Sequence, residues 1–404
     1  MSACSRKAMS MMASAVVVIL LSGCAEQPST TGLRSTGGTL SFYIDDSTDV
    51  RIPGAWKGDT LILSNAEEDI VLVPLDEESW SVPVFDGVLT LTGDTGSWLD
   101  VLRPGEYRVP VRWVPGSPMS ITTWPADTLS WALKFGEENP WFGQLYLQRK
   151  GDRCKGSIAT PTGDFRYLHG TVDDAGTMVI QTFDGAHLFL FSAQLTSDGR
   201  LTNGEFKSGN HYATPFVGEP ADAAESALEA TPVAEWTGST VAYRGINLTG
   251  DSVLWSSSEA EGLHILSVMG SWCPNCMDEH RLLAQMLDLN PDLHVHTLAF
   301  ERGLEAKGGI QRALERLTRY HQHMGLDRFE DQWTVVLAGP ASKTKAQEAL
   351  PFLDRVVSFP TTVVIEGASE NAPWIHSGFN GPAMGPAHEL EITRFTSALS
   401  GPTE

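Results

Sequence analysis

The chain has 404 residues, of which 42% are hydrophobic and 19% charged, with 38 Gly, 23 Pro and a formal net charge of −22. That length exceeds what one hydrophobic core usually fills, so two or three globular domains are expected rather than a disordered chain. The acidic balance excludes a nucleic-acid partner held by clustered Lys and Arg, and it suits a soluble surface or a salt-rich setting.

The first residues read as a targeting signal. Arg6 and Lys7 form a basic start, Ala13 to Leu21 is apolar, and the small residues Ser22 and Gly23 precede Cys24. The apolar run is too short to span a bilayer, which takes about 20 residues. Leu21-Ser22-Gly23-Cys24 resembles the lipobox of bacterial lipoproteins. That resemblance implies lipidation of Cys24 as the first mature residue, and an extracytoplasmic protein anchored to a bacterial membrane and facing the periplasm. An ordinary secretory signal with a chance cysteine is the plainer reading, and export follows from either. Residues 1–24 are thus the signal, and 25–38, rich in Ser, Thr, Gly and Pro, a tether. Of five cysteines, Cys4 leaves with the signal and Cys24 carries lipid; Cys154, Cys273 and Cys276 remain, which is no disulfide scaffold.

Residues 39–216 alternate in short segments such as Thr39–Tyr43, Thr60–Leu63, Val88–Thr92, Tyr107–Val111, Gln144–Leu147 and His187–Phe191. Asp86-Gly87, Asp184-Gly185 and Asn203-Gly204 suit hairpins that need positive φ. The region is all-β, an antiparallel barrel or sandwich, as one large barrel or two smaller sandwiches with a seam near 115–125. Residues 217–236, rich in Ala, Glu and Pro, read as a linker. Residues 237–404 then alternate strands and helices. Strands are expected at Leu263–Met269, Leu293–Phe300, Trp333–Leu337, Thr361–Ile365 and Trp374–His376. Helices are expected from the cysteine pair to Leu289, and over Ile310–His323, Lys343–Leu353 and Glu389–Leu399. This order implies a mixed sheet with helices on both faces, and an α+β multidomain chain as a whole.

Cys273 and Cys276 lie three residues apart just after a buried strand, so both thiols fall in the first turn of a helix that starts there. Unpaired N–H groups and the helix dipole favour negative charge at that end, which makes Cys273 the nucleophile and Cys276 the residue that resolves a mixed disulfide. Pro274 fits a first helical turn. A zinc half-site is the rival, with His264, His280, His294 and His296 nearby, but no second Cys-x-x-Cys accompanies the pair. A purely structural disulfide would close too small a loop to stabilise much.

Ser271-Trp272-Cys273-Pro274-Asn275-Cys276 resembles the active site of thioredoxin-fold proteins of the TlpA/ResA type, and Ser358-Phe359-Pro360-Thr361-Thr362 is similar to their cis-proline segment. The resemblance spans Val241 to Leu399, including the tail Gly378 to Ala383. It implies a C-terminal thioredoxin-like α/β domain and a thiol-disulfide oxidoreductase that needs no cofactor. Cys273, Cys276 and Glu279 would be catalytic, with Glu279 taking a proton from Cys276. Trp272, Phe359, Pro360 and Thr361 would meet the substrate. Where thioredoxins proper carry a buried aspartate, this chain has Ser267. Protein disulfides are the implied substrates. A reductase direction is favoured, in cytochrome maturation or envelope redox homeostasis, with an upstream membrane electron donor. A solvated Glu279, a trans Pro360, a redox-sensing scaffold beside a ligand-binding β region, and a thiol peroxidase are the competing readings; the last is weakened by Gly270 at the position where peroxidases carry threonine. The loop Gly378–Gly385 lacks the Lys-Ser/Thr of a phosphate loop. In the β region Pro83–Asp86, Tyr107–Pro110, Thr162–Leu168 and Phe183–His187 resemble, faintly, segments of the N-terminal part of two-part TlpA-like lipoproteins, a part from which no activity carries over. No metal is expected, although His169, His187 and His211 could form a site, and Cys154 reads as an inert buried thiol.

Overall fold

The computed structural model describes residues 36–103, 107–116, 127–221, 233–329 and 331–400. The expected export signal with Cys24, the expected tether up to residue 35, the core of the expected seam and most of the expected linker lie outside the described residues.

The first eight strands are β1 (Gly37–Tyr43), β2 (Asp49–Lys57), β3 (Thr60–Asn65), β4 (Glu68–Pro74), β5 (Ser79–Ser81), β6 (Gly87–Thr92), β7 (Thr95–Asp100) and β8 (Tyr107–Pro115). Each pairs antiparallel with the next, and β1 pairs with β8 to close a barrel. Alternation is the cause: Leu40, Phe42, Val50, Ile52, Leu61, Leu63, Leu89, Leu91, Val109 and Val111 are all buried.

A second set follows: β9 (Asp127–Phe135), β10 (Trp141–Lys150), β11 (Arg153–Thr160), β12 (Gly163–Asp164), β13 (Leu168–Val172), β14 (Thr177–Phe183), β15 (Leu188–Leu195), β16 (Leu201–Ser208) and β17 (Tyr212–Pro220). Their order is β10-β9-β17-β16-β15-β14-β13-β11-β12, and pairing of β10 with β11 closes this sheet as well. Phe135, Phe191, Phe206 and Phe216 pack inside it. Two closed barrels therefore replace the expected single barrel or pair of sandwiches, because each sheet removes its own edges by closure. Asn203-Gly204 is not a hairpin turn. Asn203 has φ 51° and lies inside β16, where the register to β17 shifts between Leu201 and Gly204, so the positive-φ residue serves a bulge.

The C-terminal part comprises β18 (Ala242–Asn247), β19 (Ser252–Ser256), β20 (Leu263–Met269), α1 (Pro274–Leu289), β21 (Leu293–Glu301), α2 (Gly309–His323), β22 (Trp333–Pro340), α3 (Lys343–Ala349), β23 (Thr361–Glu366), β24 (Trp374–Ser377) and α4 (Pro386–Leu399). The sheet order is β19-β18-β22-β21-β20-β23-β24, with β20, β21 and β22 parallel and the outer pairings antiparallel. The mixed sheet thus stands, with the hairpin β18–β19 as an addition that its polar, half-buried residues concealed. Period-two alternation sends Ile265, Met269, Val295 and Val335 to α1 and α2, and Leu266, Val268, Leu298 and Val363 to the face of α3. Residues 234–236, expected within the linker, are ordered on this part: Ala234 is buried, and the Trp236 backbone bridges to Leu353.

The barrels do not stand apart from the α/β part. One cluster of buried apolar side chains runs from the first barrel through Phe183 and Leu188 to α1 and α2.

Candidate active site

Strand β20 delivers the chain to the end of the sheet at Met269, and the backbone then turns sharply into α1. Gly270 permits the turn, since a Cβ there would collide with the Trp272 indole. Ser271 is locked by Glu301 at the end of the neighbouring parallel strand β21: its N–H and hydroxyl donate to the two carboxylate oxygens at 2.7 and 2.8 Å. The Trp272 indole N–H donates to the Phe300 carbonyl at 2.9 Å, its ring packs edge-on to Phe359, and the Arg302 guanidinium lies 4.4 Å above it.

Cys273 is the N-cap of α1, with extended backbone (φ −107°, ψ 106°), and Pro274 occupies the first helical position. Its sulfur accepts the Cys276 N–H at 3.3 Å, an N–H of the helix start that also donates to the Cys273 carbonyl at 3.2 Å. Cys273 and Cys276 are joined as a disulfide with Cα atoms 5.4 Å apart. The Cys273 sulfur also lies 3.3 Å from the Phe359 carbonyl oxygen, and the Phe359–Pro360 peptide is cis. Two bonds fix that loop: the Ser358 hydroxyl donates to the Pro360 carbonyl and the Thr361 hydroxyl to the Ser358 carbonyl, each at 2.8 Å. Phe359 and Pro360 therefore lie at the pair, whereas the Thr361 side chain is buried and engaged in holding the loop.

Glu279 is wholly buried, and burial pushes its carboxyl up to about 7. It sits one turn beyond Cys276 on the same helical face. Ser267, at the position of the absent aspartate, donates to Oε2 at 2.6 Å, and the Thr362 hydroxyl donates to Oε1. Ser267 also meets His280 Nε2 at 3.1 Å, and Tyr320 meets His280 Nδ1 at 3.0 Å. The chain Tyr320–His280–Ser267–Glu279 thus gives each of its own buried polar side chains a partner. Burial holds the His280 ring down at about 3, so it is neutral here and either donates or accepts.

Three successive residues of α1, Asp278, Glu279 and His280, are buried, whereas Arg281, Gln285 and Asp288 on the same helix are exposed. Asp278 faces the barrels, where Arg166 donates to both of its oxygens at 2.9 and 3.0 Å and to Glu68 of β4 at 2.6 Å. The motif residue Asn275 also meets the second barrel: its amide donates to Asp164 Oδ1 at 2.7 Å. From the first barrel, Asp100 lies 3.8 Å from Arg302, the cation over Trp272. Sequence reasoning assigned Asp164, Arg166 and Asp100 no role at this site. Their partners in the C-terminal part lie more than a hundred residues away, and the one local signal is the pair of charges Asp164 and Arg166 within a β-rich stretch.

The remaining candidates serve other ends. Among the described residues no group of three or more His, Cys, Asp and Glu is placed to hold a metal ion. His187 pairs with Asp184, His211 packs on Tyr107, and His169 is buried. His264 and His296 belong to a hydrogen-bonded line with Tyr243 and the Glu261 carbonyl. Cys154 is buried in the second barrel, and burial pushes its thiol up to about 12.

No protein-family model matches the chain, and no curated protein matches it in sequence. Among solved structures it is similar to a thioredoxin-like protein from Aeropyrum pernix at 18% identity, with TM-score 0.26, over 38% of this chain and 89% of that one. It is likewise similar to a thioredoxin-family thiol:disulfide interchange protein from Chlorobium tepidum TLS, at 17% identity and TM-score 0.25, over 38% and 92% of the two chains. For StoA from Bacillus subtilis the values are 16%, 0.24, 39% and 98%. TM-scores this low carry no functional argument, and the geometry of the cysteine pair stands by itself.

Proposed function

We propose that the chain is a dithiol-disulfide oxidoreductase acting on protein disulfides. One observation carries the reading: Cys273 caps α1 with its sulfur under the Cys276 N–H and beside the Phe359 carbonyl of the cis-proline loop, already bonded to Cys276. A thiolate at Cys273 is favoured there by the helix start. It attacks a substrate disulfide, whose bond breaks as the mixed disulfide forms, and the departing sulfur takes up a proton. Cys276 then loses its proton to Glu279 and attacks Cys273, releasing the second substrate thiol. Two electrons have passed from the pair to the substrate, and the pair is left as the disulfide seen here.

Glu279 suits the proton step because burial brings its carboxyl to about 7, where it both accepts and returns a proton near neutrality. We assign the reductase direction, with a membrane electron donor restoring the dithiol, and a location outside the cytoplasm on a lipid anchor at Cys24. The basic, apolar and small-residue order of the first 24 residues supports that location. The test is trapping in cell envelopes with Cys276→Ala: mixed disulfides at Cys273 are expected, together with reduction of a model disulfide by the wild type. Absence of both sinks the reading.

A further inference from the structure

We propose that the second barrel supplies a positioning residue to the redox site: the carboxylate of Asp164, held between Asn275 of the Cys-x-x-Cys motif and the Gly381 backbone, sets the poise of the cysteine pair. The proposal rests on the redox reading of Cys273 and Cys276 given above.

Asp164 is buried, and both of its oxygens are committed. Oδ1 accepts the Asn275 amide at 2.7 Å and the Arg166 N–H at 3.1 Å, while Oδ2 accepts the Gly381 N–H at 3.0 Å. The Asn275 amide also reaches the Asp164 carbonyl at 3.1 Å and that of Phe379 at 3.4 Å. The approach needs a residue without a Cβ: Gly163 has φ 124°, and a Cβ there would stand 3.2 Å from the Asn275 amide nitrogen. Arg166, two residues on, bolts the same segment to α1 through Asp278. The barrel therefore grips the two-residue spacer between the cysteines and the loop after β24 together.

A carboxylate against the first turn of α1 opposes the charge that forms on Cys273 when the pair is reduced. It shifts the equilibrium toward the disulfide and makes the pair a stronger reductant. The groups facing Asp164 are Arg166 on its own segment, Asp278 from α1 and the Gly381 peptide; Glu68 and Arg281 act at one remove through Arg166 and Asp278. Burial first, then Asp278, pushes its carboxyl up to about 7, so the charge develops across the neutral range.

The test is equilibration of the full chain with glutathione. Two glutathione thiols give up two electrons and two protons as the Cys273–Cys276 bond is cleaved, and glutathione disulfide forms. Asp164→Asn keeps the shape and removes the charge. At pH 8 its equilibrium constant for reduction is expected to rise three- to tenfold, the upper end equal to about 30 mV. At pH 6, where wild-type Asp164 is itself protonated, the difference should shrink. A folded D164N within twofold of the wild type at both pH values overturns the inference alone. Should that variant fail to fold, Asn275→Ala breaks the grip from the motif side; a change of threefold or more supports the proposal and less than twofold overturns it. A wild-type pair that glutathione reduces at no ratio overturns the redox reading and the proposal with it.

Discussion

Replacing Glu279 by Gln separates the proton-transfer role from a merely structural one. The carboxyl is raised by burial from an ordinary 4.5 to about 7, a gap worth about 3 kcal/mol between its two protonation states. The sign follows from linkage. Below pH 4.5 both folded and unfolded states hold the proton and there is no penalty. Between 4.5 and 7 the unfolded chain ionises while the folded one does not, so this group's contribution falls with rising pH and levels off above about 7. Gln cannot ionise, and its carbonyl accepts one of the two hydroxyl donors, Ser267 and Thr362. Above pH 7 E279Q should therefore equal or exceed the wild type in stability by up to about 3 kcal/mol, less the cost of one misdirected amide bond. Its turnover should nonetheless fall by about 10²-fold or more, because general acid-base transfer by a positioned side chain contributes about that much. The assay is a pH-rate profile for reduction of a model disulfide, paired with urea unfolding at pH 5 and 8. Loss of the limb near pH 7 together with retained stability is the expected result. An unchanged profile would refute the assignment of Glu279 to the proton step.

Other outcomes follow from the same geometry. Arg166→Ala leaves the largely buried Glu68 without its cation and Asp278 with only the half-exposed Arg281, and should cost about 3–5 kcal/mol in urea unfolding, whereas a loss below 1 kcal/mol would show the contact to be dispensable. Gly270→Ala drives a methyl into the Trp272 indole; a loss of about 1–3 kcal/mol and altered Trp fluorescence are expected, and a silent variant would contradict the packing. Tyr320→Phe removes the hydroxyl partner of His280 and should destabilise by about 1–3 kcal/mol, with unchanged stability as the contrary result.

The strands and helices of the C-terminal part, β18 and β19 apart, were legible because they carry their period plainly: Leu263–Met269 is an apolar run, and Pro274 marks a helix start. The cysteine motif and Phe359-Pro360 were legible as short local patterns, and the structure brings them to within 3.3 Å of one another. What stayed hidden is long-range. Closure of two barrels depends on pairings such as β1 with β8 and β10 with β11, and alternation alone does not say which edge meets which. Glu279 could have been a solvated helix residue, yet it is buried together with its neighbours Asp278 and His280, whose partners Arg166 and Tyr320 come from a barrel and from α2. Asp164 and Arg166 carried no local mark of their partners on α1, and Asn203-Gly204 looks the same in sequence whether it makes a turn or a bulge.

The central claim is that Cys273 and Cys276 form a reversible two-electron couple poised to reduce other disulfides. A redox titration of the full-length protein, read by differential alkylation of the two cysteines, tests it most directly. The account predicts a reversible midpoint between about −180 and −270 mV, the span of reducing and exchanging dithiols. A midpoint near about −120 mV, where strong oxidants sit, would contradict the reductase direction, and a pair that stays oxidised in the folded protein below about −300 mV would contradict redox activity altogether.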